Sequence, residues 1–274
     1  MSHSTIAFLS DFGLTDNYVG VVKGVILNIA PKATIIDLTH DIWRHNIRQA
    51  AFVLLSSVGY FPKGTIFLAI VDPGVGSERN ILAIQTKDYY FIGPDNGVFS
   101  MLWKDYPIEK VFSITNRKWM LPNISSTFHG RDIMAPAIAH LAIGADIKEF
   151  GTEINPNSLI KLPEPKVRID HNKMCHAEII SIDKFGNLIS TITKKHFDEC
   201  NTNTDIKNTQ YIFEINNVKV YGLSNTYSDV STREFVVYFG SCGYLEVAVR
   251  DGNAAMLTEA RIGHEITARI VPTC

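Results

Sequence analysis

Apolar and polar positions change rhythm a little past the middle of the chain. In the first part, short continuous apolar runs alternate with stretches of helical period. Residues 5–9 are such a run, ending on the polar turn Ser10-Asp11-Phe12-Gly13. Tyr18, Val22, Val25, Ile26 and Ile29 then recur at i, i+4, i+7, i+8 and i+11, which puts them on one helical face. Asp16 stands where an N-cap is wanted and Pro31 stops the pattern, so a helix is predicted between them. By the same reading 34–38, 65–71, 81–85 and 89–92 are strands, and 47–57, 95–103 and 132–142 are helices. Strand and helix in alternation predict an α/β domain, residues 1–160, with a largely parallel sheet.

Between residues 152 and 167 the chain carries Pro156, Pro163 and Pro165 with little periodicity, which marks a linker. Beyond it the patterns are short and strand-like: 177–182, 188–192, 211–215, 218–221, 234–239, 245–249 and 265–271. Asn216-Asn217 between two of these is a hairpin signal, because Asn tolerates the left-handed turn conformation. This spacing predicts a smaller all-β barrel or sandwich domain over 168–274.

Composition narrows the class. Apolar residues are 46% and charged residues 20% of the 274, ordinary globular values that exclude a disordered or collagen-like chain. Lys plus Arg is 26 against 28 for Asp plus Glu, so the basic excess that nucleic acid or an anionic membrane asks for is absent. Cys175, Cys200, Cys242 and Cys274 form no CxxC pair, and no His lies at zinc-ligand spacing, so they read as free thiols of a reducing cytoplasm and no metal site is expected. No apolar stretch reaches the 18 or more residues of a membrane span, and no signal peptide is expected.

Sites on parallel sheets collect at the carboxyl ends of strands. Three polar segments fit: 10–16 after the first strand, 71–79 after the 65–71 strand, and 127–132 before a helix. Each has a plain structural alternative. Asp72 sits in an Asp-Pro-Gly turn, Asp132 in N-cap position, and Arg79 and His129 are also compatible with solvated side chains. Asn96, in Gly93-Pro94-Asp95-Asn96-Gly97, is a turn residue or a ligand contact. Gly74 and Gly76 make no dinucleotide fingerprint. Asp183-Lys184-Phe185-Gly186-Asn187 and Gly240-Ser241-Cys242-Gly243 read equally as hairpin loops. On these residues alone the protein is an α/β protein with an acidic cleft holding Arg and His.

Taken together and in order, the segments Ser-Asp-Phe-Gly at 10–13, Val-Asp-Pro-Gly-Val-Gly at 71–76, Arg79, Phe-His-Gly-Arg-Asp at 128–132, Asp-Lys-Phe-Gly-Asn at 183–187 and Gly-Ser-Cys-Gly-Tyr-Leu-Glu at 240–246 resemble the S-adenosyl-L-methionine hydroxide adenosyltransferase family. The fluorinases and chlorinases are relatives of that family, and the resemblance runs from about Ile6 to Val271. It implies hydrolysis of S-adenosyl-L-methionine to adenosine and L-methionine, with no cofactor, in a homotrimer whose sites lie at subunit interfaces. Asp72, Arg79 and His129 would hold the nucleophilic water. Asp11 would bind the ribose hydroxyls and Phe185 and Asn187 the adenine. Asp183, Ser241 and Glu246 would lie near the methionine amino and carboxylate groups, with the backbone near Val249 a further contact.

The halogenating relatives carry a neutral residue in place of Asp72 and a longer insertion that this chain lacks. A carboxylate beside the nucleophile repels a halide but orients water, which favours hydroxide transfer. Two alternatives stand beside it: a halide adenosyltransferase, and a non-catalytic protein that binds S-adenosyl-L-methionine or adenosine. His45 and Arg250 depart from the family pattern.

Overall fold

Continuous apolar strands need cover on both faces, and the first half of the chain provides it with helices. The computed structural model describes residues 4–164, 166–200 and 209–272, so Pro165 of the expected linker and Cys274 lie outside the described residues. It divides into two compact units, residues 1–162 and 163–274.

In the first unit, β1 (Thr5–Ser10), β2 (Thr34–Thr39), β3 (Ile66–Ile70) and β5 (Tyr90–Pro94) are parallel neighbours. β4 (Ile81–Thr86), β6 (Ile108–Ile114) and β7 (Gly151–Glu153) extend the sheet antiparallel, giving the order β2-β1-β3-β5-β4-β6-β7. The sheet is therefore mixed, with its parallel part at the N-terminal strands. Successive strand residues point to opposite faces. Ile6 and Phe8 accordingly join a core with Val22 and Ile26 of α1 (Tyr18–Ile29) and Ile138 of α3 (Ala135–Ala142), while Ala7 and Leu9 join another with Ala50 and Leu54 of α2 (Ile47–Ser57). After β1 the chain leaves toward β2, and after β3 it leaves the other way, toward β5 and β4. The carboxyl ends of β1 and β3 therefore flank a switch point, where such sheets leave a crevice.

The second unit is one antiparallel sheet, ordered β12-β11-β15-β9-β10-β14-β13 with β8 paired to β9. Its strands are β8 (Arg168–Ile169), β9 (Cys175–Ile182), β10 (Leu188–Thr193), β11 (Thr209–Ile215), β12 (Val218–Tyr221), β13 (Phe235–Phe239), β14 (Tyr244–Val249) and β15 (Glu265–Pro272). The sheet curls until β12 lies near β13, a nearly closed barrel-like form around Ile179, Leu188, Phe213, Val247 and Ile266. Asn216 takes φ 51° in the two-residue turn that pairs Ile215 with Val218. Among the described residues two short α-helices accompany the sheet, α4 (Lys194–Cys200) and α5 (Ala254–Thr258).

Some expected elements differ. The first helix starts at Tyr18, with Asn17 rather than Asp16 at the N-cap and no side-chain cap bond. The helix expected at 95–103 is reduced to a 3₁₀ turn at Ser100–Leu102. Gly97 is left-handed there (φ 93°), and the Asp95 carboxylate accepts the Ile160 N–H at 3.0 Å instead of capping a helix. The helix expected from Asp132 opens as a π turn over Gly130–Met134. Pro136 has no N–H to give the Asp132 carbonyl, and that carbonyl accepts the Leu121 N–H at 2.9 Å instead. Strand β6 was not expected, and β7 falls at the start of the expected linker. Among the described residues no helix is long and apolar enough to cross a membrane.

Leu54, fully buried beneath the sheet, reports on that packing. Leu54→Ala should lower unfolding free energy by about 2–5 kcal/mol with an unchanged denaturant slope. A loss below about 1 kcal/mol in urea titration would place α2 off the sheet.

Candidate active site

The switch-point crevice is a cleft of about 380 Å³ lined by Asp11 and Phe12 from the end of β1, Asp72 beyond β3, Arg44 and His45 before α2, and Phe128 and His129 before the π turn. Four residues singled out from the sequence thus gather in one place: Asp11, Asp72 and His129 line the cleft, and Arg79 stands behind Asp72.

The turn after β3 sets the first of these. Val75 N–H returns to the Asp72 carbonyl at 3.2 Å and Ser77 N–H to that of Gly74 at 3.1 Å, folding the segment so that Arg79 comes back over Asp72. Gly76 is left-handed (φ 81°), and a Cβ there would stand 2.5 Å from the Ser126 carbonyl oxygen. Only glycine lets the two loops carrying Asp72 and His129 approach this closely. Asn96 donates to the Val71 carbonyl at 2.8 Å, so it is a brace for the strand end.

Arg79 Nε donates to Asp72 Oδ1 at 2.6 Å and its Nη2 donates to Oδ2, a bidentate pair with side chains only 8% and 6% exposed. Nη1 and Nη2 also lie 3.3 Å from His129 Nδ1. A guanidinium has donors only, so Nδ1 must accept, which fixes the neutral tautomer with its proton on Nε2. Burial, then the Arg79 charge, pushes the His129 pKa below its ordinary value, against smaller opposing effects of Asp72 and Asp132. Asp132, buried in the π turn, accepts from Arg131 Nε at 2.6 Å and from Ser125 N–H at 2.8 Å, and so holds the loop that leads to His129.

Asp11 Oδ2 accepts the backbone N–H of His45 at 2.8 Å, and His45 itself is left-handed at φ 63°. The strand end before Asp11 is tied by a relay that sequence reading missed. Ser10 Oγ meets His40 Nδ1 at 2.7 Å, His40 Nε2 lies 3.1 Å from Asp37, and Asp37 accepts Lys23 at 2.6 Å. Ser10 is fully buried, so this Ser-His-Asp set is a strut and not a nucleophile. Phe12, Tyr18 and Phe128, also missed, pack with ring centroids 5.3–5.7 Å apart and form an apolar wall of the cleft. Ser10 with His40, Lys23 with Asp37, and Phe128 with Phe12 and Tyr18 come from separate segments of the chain and share no local pattern.

The remaining candidates belong to the second unit. Asp183 Oδ1 accepts the N–H groups of Phe185 and Asn187, each at 2.9 Å, and Oδ2 accepts the Asn187 amide at 2.7 Å. That carboxylate shapes the loop between β9 and β10, which leaves Phe185 74% exposed. Glu246 on β14 accepts the Tyr238 hydroxyl at 2.8 Å, and burial raises its pKa. Ser241 is exposed in the turn between β13 and β14, and Val249 is buried at the end of β14. Among the described residues no group of three or more His, Cys, Asp and Glu side chains could hold a metal ion.

Comparison with known proteins bears on this arrangement. A family model described as "SAM hydroxide adenosyltransferase N-terminal domain" matches residues 6–151, and one for the C-terminal domain of the same family matches residues 177–267. A protein of Salinispora tropica named (R)-S-adenosyl-L-methionine hydrolase is 34% identical over 92% of each chain. One of the same name from Thermus thermophilus is 35% identical over 91% of this chain and 93% of its own. A fluorinase of Actinoplanes sp. is 26% identical over 89% of this chain and 90% of its own. The crystal structure of an uncharacterized conserved protein from Thermotoga maritima superposes with a TM-score of 0.88 at 36% identity, covering 96% of this chain and 99% of that one.

His129 supplies a pH signature. Its folded-state pKa lies below the ordinary 6.5, so as pH falls the unfolded chain takes up the proton first. Stability from neutral His129 is complete above about 6.5 and drains away as pH falls to and through the lowered value. By NMR the His129 ring should titrate below 6.5, and Arg79→Gln should move it upward; titration at or above 6.5 in the native chain would contradict the Arg79–His129 contact.

Proposed function

The chain belongs to the S-adenosyl-L-methionine hydroxide adenosyltransferase family and is an enzyme that hydrolyses S-adenosyl-L-methionine; we propose that Asp72, Arg79 and His129 hold its nucleophilic water. The observation that carries this reading is the hydrogen-bonded Asp72–Arg79–His129 set at the cleft wall. Water attacks C5′, the C5′–O bond forms as the C5′–S bond breaks, and the bond pair leaves with sulfur. The products are adenosine, L-methionine and one proton. The sulfonium leaves as a neutral thioether, so its departure needs no general acid. The requirement is a water held in line.

The hydrogen-bond inventory gives each residue a part. Arg79 occupies one lone pair on each Asp72 oxygen and leaves others free. A water that donates to Asp72 and accepts from His129 Nε2–H keeps a lone pair for C5′. A halide has no proton to give Asp72, which supports hydroxide transfer over the halide alternative, and a set so fully bonded supports catalysis over passive binding. In this reading Asp11 takes the ribose hydroxyls as charge-assisted hydrogen bonds. Phe185 and Asn187 take the adenine side, and Asp183, Ser241, Glu246 and the Val249 backbone take the methionine side. No cofactor takes part. The relatives' names specify the (R) epimer at sulfur, and the same epimer is proposed here. A reducing cytoplasmic setting is proposed with it. The homotrimer belongs to the same proposal.

Incubation of both sulfur epimers with the pure protein, with and without chloride, should yield adenosine and methionine from the (R) form alone. A 5′-chloro product would move the reading to halide transfer, and unchanged substrate would move it to binding. Asp72→Asn keeps the size and loses the charge, so kcat should fall by about a hundredfold or more while substrate affinity changes much less. Single-turnover rates within about twofold of the parent would remove Asp72 from the water site. Light scattering at micromolar concentration should give three times the chain mass; a monomer with full activity would contradict the trimer.

A further inference from the structure

Asn187, buried at the start of β10, spends both hydrogens of its amide inside the protein. One goes to Asp183 Oδ2 at 2.7 Å and the other to the Tyr227 hydroxyl oxygen at 3.1 Å. The Tyr227 and Tyr238 hydroxyls are hydrogen-bonded to each other, and Tyr238 donates to Glu246 Oε2 at 2.8 Å. Counting protons fixes the direction. The Tyr238 hydrogen goes to the carboxylate, so the Tyr227 hydrogen goes to Tyr238 and the Tyr227 oxygen is left to accept from Asn187. Donation runs one way, from Asn187 through Tyr227 and Tyr238 to Glu246. Each bond polarises the next in such a chain. The two rings pack at 4.8 Å between centroids, and burial, then the bond to Tyr227, holds the Tyr238 proton well above the ordinary tyrosine range. Glu246 is pressed against the backbone of Gly240, where a Cβ would collide with Oε1, so the carboxylate sits under the turn that carries Ser241.

We infer that Tyr227 and Tyr238 are positioning residues for substrate binding, a hydroxyl pair that sets Asn187 and Glu246 as one unit. The inference rests on the reading above that Asn187 and Glu246 bind opposite ends of the substrate. Three features of the network support it. The tyrosine hydroxyls bond to each other and to these two side chains. They join two hairpins, β9–β10 and β13–β14, through a 3₁₀ turn at Tyr227–Asp229, and so couple three separate loops. Finally, the chain ends on two carboxylates, Glu246 at one end and Asp183 beside Asn187 at the other, so its direction is fixed. Grip on one end of the substrate is thereby coupled to grip on the other.

Steady-state kinetics on the full-length enzyme test this with Tyr238→Phe and Tyr227→Phe, each of which removes one oxygen and keeps the ring. Both should raise KM for S-adenosyl-L-methionine about five- to tenfold, with kcat within about twofold of the parent. Asn187→Ala and Glu246→Gln should raise KM alone, and their effects should depart from multiplicativity in the parent but multiply in the Tyr238→Phe background. KM within twofold in both Phe variants, beside raised KM in Asn187→Ala and Glu246→Gln, would overturn the inference and leave the site reading intact. Unchanged KM in Asn187→Ala and Glu246→Gln would overturn the site reading itself. A fall in kcat at constant KM in the Phe variants would also overturn the inference, since it would make the tyrosines catalytic. Tyr227 is partly exposed, so Tyr227→Phe keeps the test decisive if Tyr238→Phe unfolds.

Discussion

The buried Asp72–Arg79 pair is the constraint on which the candidate site is arranged. Two charges removed from water need each other, and breaking such a pair by deleting one partner leaves the other unpaired at a cost of roughly 3–5 kcal/mol. The turn after β3 exists to bring the partners together, and Gly76 allows that turn to meet the next loop at Ser126. Arg79 then settles a second question, because its donors leave His129 only one neutral tautomer. One guanidinium thus fixes a carboxylate, an imidazole and the spacing of two loops.

The second unit achieves order by different means. Asp183, Asn187 and Glu246 are linked there through neutral amide and hydroxyl groups that end on carboxylates. A polar network of this kind rigidifies when every member is satisfied and costs stability when one is not. Asn187 is held by Asp183 and Tyr227, and Glu246 by the buried Tyr238.

How much of this could be read from the chain follows from the range of each interaction. β1, α2 and the Asn216-Asn217 hairpin were legible because their apolar patterns and turn residues are local and unbroken. β6 was not, since Ile108–Ile114 lacks the period of two, with Glu109 and Lys110 adjacent and Val111 beside Phe112. The 95–103 segment has helical apolar spacing, but a left-handed Gly97 and tertiary bonds from Asp95 and Asn96 override it. Asp11, Asp72 and His129 were legible as polar residues at strand ends and before a helix, where α/β sheets place their sites. The Ser10–His40 strut and the tyrosine pair were not, because their partners come from separate elements and leave no spacing behind.

The two edges of the first sheet also govern how copies of the protein can meet. β2 is one outer strand, and its Asp37 pairs with Lys23 of α1. β7 is the other, only three residues long and ending on Glu153. Open strand edges invite another chain to add on and grow a fibre, and charge and brevity are the usual deterrents. Neither border of this sheet offers a long uncharged row of free amides. Copies that meet at this sheet should therefore do so through side-chain surfaces, which can close on themselves, and not through open-ended strand addition.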